Sequence, residues 1–90
     1  MQQPIYERAR ELMEAELGDE LVALDPVGGE CFGFNPVAST VWQLLDTPSS
    51  AADLQQSLME EYDVDAAQCR AELDQLLSDL LDRGLVRCRS

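Results

Sequence analysis

Apolar residues recur with a helical period through the C-terminal half of the chain. Val37, Val41, Leu44 and Leu45 stand at i, i+4, i+7 and i+8, with Ala38 and Trp42 widening the stripe, as on one face of an amphipathic helix. Asn35-Pro36 supplies its start, since Asn can accept from the orphan N–H groups and Pro needs no N–H in the first turn. Pro48 stops it by biasing Thr47 away from helical dihedrals. Ser50-Ala51-Ala52-Asp53 resembles a capping box and opens a second helix carrying Leu54, Leu58, Met59 and Tyr62. Asp63-Val64-Asp65 breaks the pattern, and Asp65 can cap a third helix with Gln68 at the reciprocal position. That helix has the cleanest stripe: Cys69, Leu73, Leu76, Leu77, Leu80 and Leu81. Gly84 stands where a left-handed C-cap belongs, with Leu85 and Val86 available for the closing apolar contact. The pattern predicts helices over residues 36–46, 50–62 and 65–83.

The N-terminal third supports two periods. Ile5, Ala9, Met13 and Leu17 have helical spacing, yet Met13, Ala15 and Leu17 also alternate with Glu14 and Glu16, as in a half-buried strand. Residues 5–12 stay open between helix and strand. Gly18-Asp19 reads as a two-residue hairpin turn before the β-prone run Leu21-Val22-Ala23-Leu24. Asp25-Pro26-Val27-Gly28-Gly29 is a turn, and Cys31-Phe32-Gly33-Phe34 forms a third short strand. Strands are expected over 12–17, 21–25 and 30–34. The chain is thus read as one α+β domain over residues 1–90, a three-stranded antiparallel meander followed by three helices.

Composition narrows the chemistry. Ninety residues suit a single domain with a thin core, and 46% apolar residues suffice to fold it. The eighteen acidic residues, six arginines and no lysine give a formal charge of −12, which repels phosphates and argues against nucleic acid and anionic membrane as partners. Without histidine, His-based catalysis and His metal ligands are excluded. Cys31, Cys69 and Cys88 are an odd number, widely spaced and without a CxxC pair, so they read as free thiols and not as a zinc site or a disulfide framework. No signal peptide or membrane-spanning run is seen, and the expected location is the cytoplasm. No metal and no cofactor are expected.

Several segments together resemble the PqqD family, whose module is also called the RiPP recognition element of ribosomally made, post-translationally modified peptides. They are Leu21-Val22-Ala23-Leu24-Asp25, Gly29 through Pro36, Val41-Trp42-Gln43-Leu44-Leu45-Asp46, Asp53-Leu54, Tyr62-Asp63-Val64-Asp65, and Leu77 through Leu85 with Asp82-Arg83-Gly84-Leu85. The resemblance covers residues 12–86. Asp46-Thr47-Pro48 departs from the family's usual Asp-Gly after the tryptophan helix, which alters a turn and not the proposed binding surface. The sequence looks less like PqqD itself than like the stand-alone elements of lasso-peptide and similar clusters.

The resemblance implies a winged-helix-like fold that binds the leader segment of a precursor peptide and passes it to a modifying enzyme or leader protease. In the family the leader adds as a strand beside the third strand and lies against the third helix, a case of β-augmentation. The matching edge here is Glu30, Cys31, Phe32, Gly33 and Phe34, and the matching helix surface is Arg70, Leu73, Asp74 and Leu77. Phe32 and Phe34 share one side of their strand and are expected in the core, so the edge backbone does the binding. Arg70 either pairs with Asp74 at i,i+4 or contacts a leader carboxylate. Gly33→Val or Leu77→Glu is expected to weaken leader binding and leave the fold largely intact. A vacant edge also allows a homodimer.

Two other classes fit poorly. A carrier protein needs a serine at a helix start in an Asp-Ser-Leu-like setting, and Ser39, Ser57 and Ser78 do not provide it. A winged-helix DNA-binding regulator needs a basic recognition helix, but residues 50–62 hold Asp53, Glu60 and Glu61 and no cation. The absence of any basic residue between Glu11 and Cys69 favours a basic or neutral peptide as the partner.

Overall fold

The computed structural model describes residues 3–18 and 20–89. Each predicted helix starts at its expected cap. Asn35 Oδ1 accepts from the Ala38 N–H at 2.8 Å and opens α1, Pro36–Leu44. Ser50 Oγ accepts from Asp53 N–H at 3.2 Å and opens α2, Ala51–Glu61. Asp65 Oδ2 accepts from Gln68 N–H at 3.2 Å and opens α3, Ala66–Asp82. Gly84 ends α3 with a φ of +71°. Its N–H donates to Leu81 O and that of Leu85 to Leu80 O, both at 3.0 Å, the paired bonds of a Schellman motif.

The meander forms as read. Strands β2 (Met13–Leu17), β3 (Glu20–Leu24) and β4 (Cys31–Phe34) pair antiparallel in that order. Leu17 faces Glu20 and Gly18 takes a φ of +66°; Asp19, the other residue expected in this turn, lies outside the described residues. In the β3–β4 turn Asp25 Oδ1 accepts from the N–H groups of Val27 and Gly28 at 2.9 and 3.1 Å, an Asx-type closure.

Residues 5–12 resolve as a strand followed by a loop. Strand β1 (Ile5–Arg8) lies between β5 (Ser49–Ser50) and β6 (Val86–Arg89) in a second antiparallel sheet. Its partners carry almost no strand signal: β5 has two residues, and β6 buries only Val86. Charge supports the pairing instead, with Glu7 accepting from Arg87 at 3.0 Å and lying 3.3 Å from Arg89. The whole is an α+β, winged-helix-like fold.

Leu21, Ala23, Phe32 and Phe34 from the inner face of the meander meet Val41, Trp42, Leu45, Leu54, Leu73, Leu77 and Leu85 in one core. Phe34 and Trp42 rings lie 5.7 Å apart, and the Arg8 guanidinium sits 4.6 Å over the indole while donating to the Trp42 carbonyl. Strand β2 is not half-buried, since all five of its residues are exposed. Glu16 faces buried Leu21, and Glu14 faces Ala23, so Met13, Ala15 and Leu17 occupy the outer face, where all three are exposed. One residue of register decides which set turns inward.

Candidate groove beside the free edge of the sheet

Strand β4 pairs only with β3 among the described residues, which leaves its other edge open. The Asp25 N–H donates to the Glu30 carbonyl at 2.8 Å, and this sets the phase of the ladder. Antiparallel pairs alternate between bonded and non-bonded positions. Phe32 opposite Ala23 and Phe34 opposite Leu21 therefore use their backbone groups on β3. Cys31 and Gly33 turn their N–H and C=O groups to the open edge. The phenyl rings are buried as expected, and Cys31 is exposed. A Cβ built on Gly33 meets nothing within 4 Å, so the sheet face at this position is open and this glycine is not needed for packing. Glu30 precedes the strand, its carboxylate 3.9 Å from Arg10.

Where β4 ends at Asn35, a groove of about 550 Å³ runs between the start of α1 and one flank of α3. Val37, Ala71 and Leu76 give it an apolar floor, and Asn35, Glu72, Gln75 and Asp79 a polar rim. A smaller recess of about 60 Å³ shares Val37 and Glu72 with the groove and continues among Leu58, Tyr62, Val64, Cys69 and Leu73. The Tyr62 hydroxyl is held 3.0 Å from Thr40 Oγ1. Burial, and then the nearby Glu72 carboxylate, pushes the Cys69 thiol above its ordinary pKa.

The helix residues named from the sequence do not line this groove. Leu73 and Leu77 are 1% and 2% exposed, inside the core, so Leu77→Glu would strike the fold itself. That corrects the expectation that it leaves the fold largely intact. Arg70 and Asp74 form their i,i+4 pair at 3.0 Å on the flank near Gln55 and Tyr6, with Arg70 reaching Gln55 Oε1 at 3.4 Å. Of the residues chosen from the sequence, Phe32 and Phe34 thus meet Leu73 and Leu77 in the core, whereas Arg70 and Asp74 stand on the flank beside Gln55. The groove-side residues Glu72, Leu76 and Asp79 were missed. Their signal is Leu76, an apolar residue set off the buried line Cys69, Leu73, Leu77 and Leu80, one turn from Glu72.

Cys31, Cys69 and Cys88 are all free. Among the described residues no group of three His, Cys, Asp or Glu is placed to hold a metal ion, and no helix is long and apolar enough to cross a membrane.

Over residues 20–86 the sequence matches the family model described as coenzyme PQQ synthesis protein D (PqqD). The structure is similar to that of TbiB1 in complex with the TbiA(beta) leader peptide, with a TM-score of 0.77 and 26% identity over 90% of this chain and 94% of that one. It is also similar to lasso peptide synthetase B1 complexed with the leader peptide, with a TM-score of 0.73 and 29% identity over 91% and 96% of the two chains. No curated protein matches the sequence.

Proposed function

The chain belongs to the PqqD family, and we propose that it captures the leader segment of a precursor peptide and presents it to a separate modifying enzyme or leader protease. The observation that carries this is the free β4 edge, where Cys31 and Gly33 offer unpaired backbone groups beside an apolar-floored groove. A leader laid along that edge extends the meander by one strand. Its backbone bonds to Cys31 and Gly33, and alternate side chains turn toward α3 for discrimination. Solved relatives that hold leader peptides support this reading.

On this reading the module is non-catalytic, needs no cofactor and works in the cytoplasm, where three free cysteines stay reduced. Leu73 and Leu77 act by shaping the core beneath the groove. Arg70 and Asp74 stand apart from it. A second copy of the chain can pair with the same edge, and leader and copy then compete for it.

Titration of isotope-labelled protein with leader peptides encoded beside its gene tests the proposal. Amide shifts are expected at Cys31 and Gly33 and over residues 71–79. Gly33→Pro sharpens the test, because it removes an outward-facing N–H without touching the β3 ladder. The variant is expected to stay folded and lose leader affinity about fivefold or more, the worth of one hydrogen bond. Undiminished binding by Gly33→Pro, or no binding to any such leader, sinks the proposal.

A further inference from the structure

The recess off the groove is small, apolar and guarded by a carboxylate. At about 60 Å³ it is well below the roughly 150 Å³ of a cavity that accepts a benzene ring, so an aliphatic stem fits and an aromatic ring does not. Val37, Leu58, Val64 and Leu73 form its walls, and Glu72 belongs both to the recess and to the open groove. The surrounding charge is all of one sign: Asp63 and Asp65 bracket Val64 in the chain, and no arginine lines the recess. Arg70 lies on the opposite flank of α3, engaged by Asp74. Glu72 itself accepts only a 3.4 Å contact from Gln68 Nε2 among the described residues. Burial first, and then the Glu72 carboxylate, raises the pKa of Cys69, a wall residue.

We propose that this recess is a basic-residue subsite, in which the methylene stem of a leader lysine or arginine fills the apolar pocket and its cationic head pairs with Glu72. The inference rests on the leader-binding reading of the groove and adds the class of side chain it selects. Long cationic side chains are suited to such a place, since they bury the stem and keep the head at a wet rim. An apolar leader residue lies on Val37 and Leu76, and the cation follows at a fixed spacing set by the strand alternation. The net charge of −12 steers such a peptide inward.

Selection of a randomised, mRNA-displayed peptide library against the whole protein tests this without a known leader. The enriched sequences are expected to carry Lys or Arg at one fixed position, and replacing it with Gln is expected to lower affinity about tenfold. That difference disappears against Glu72→Gln, and selection against Glu72→Arg returns Asp or Glu at the same position. Glu72 is exposed, so both variants keep the fold. Enriched peptides that shift the Cys31 and Gly33 amides but have no basic position, or one indifferent to Glu72→Gln, overturn the subsite and leave leader binding standing. Peptides that leave those amides unmoved, or no enrichment at all, overturn the leader reading and the subsite with it.

Discussion

Arg70 and Glu72 are two residues apart on α3 and face opposite ways, about 200° around a helix that turns 100° per residue. Between them runs the buried line Cys69, Leu73, Leu77 and Leu80. The Arg70 flank is internally satisfied: Asp74 and Gln55 take up the guanidinium. On the Glu72 flank an apolar residue, Leu76, is left half-buried, and a carboxylate stands at the mouth of a recess. A side chain that has found its partner within the fold has little left to offer a ligand. The unsatisfied flank is the one that faces the groove beside the free strand.

The strongest way to break this comparison is to place the same charge on the buried line and on the groove flank. Leu77→Glu puts a carboxylate where the native side chain is 2% exposed. The lost packing alone costs about 2–5 kcal/mol, before the buried charge is counted, out of a total stability of about 5–15 kcal/mol. Thermal unfolding followed by circular dichroism is expected to show a largely unfolded chain. Leu76→Glu, one residue away, is expected to stay folded and to lose leader affinity tenfold or more, since burial of a leucine against a ligand contributes about 1.5–3 kcal/mol. A folded Leu77→Glu protein that has lost only binding would reverse the assignment of the two positions.

Both outcomes bear on what could be read from the residues alone. The helices were legible because each start is a local event: Asn35, Ser50 and Asp65 cap within three residues of themselves. The meander was legible because turn chemistry at Gly18 and at Asp25 through Gly29 fixes its register locally. The second sheet was not, because Ile5–Arg8 gains its partners from residues about 45 and 80 positions away, Ser49–Ser50 and Val86–Arg89, and neither partner has an apolar alternation. Strand β4, at the end of the meander, was legible in the sequence. Which side of α3 turns toward the groove was not, since periodicity gives a buried stripe and two flanks, and only the packing of α3 on α2 and β6 decides which flank turns toward the start of α1. For the same reason the outward turn of Met13, Ala15 and Leu17 could not be read from their alternation.

A second Arg–Asp pair sharpens the contrast between satisfied and open charge. Arg10 bonds Asp25 at 2.9 Å, and the Asp25 side chain is only 6% exposed, whereas both partners of the Arg70–Asp74 pair are about half exposed. The N–H groups of Gly28 and Val27, with Arg10 adding to them against the opposing effect of burial, hold the Asp25 carboxyl below its ordinary value of 3.8. A carboxyl with a depressed folded pKa stabilises the fold fully above its unfolded value, and the contribution is lost as pH falls through the folded one. Acid unfolding is therefore expected to steepen below pH 3.8. Asp25→Asn is expected to flatten that limb, and an unchanged acid limb would show that the turn does not depend on the charge.

The smallest expected effect is the one that tests the comparison most directly. Arg70 is N-terminal to Asp74 at i,i+4, the weaker order for such a pair, and both side chains are solvated. Exposed pairs of this kind contribute about 0.3–0.5 kcal/mol on a helix. Arg70→Ala is expected to lower stability by no more than that, measured by urea unfolding, and not to lower affinity for leader peptides at any salt concentration. The loss of one positive charge makes the chain more acidic overall, which if anything favours a basic leader. A drop in affinity on removing Arg70, greater for leaders with a carboxylate, would place the peptide on the flank facing Gln55 and Tyr6. Glu72 and its recess would then be surface features without a ligand.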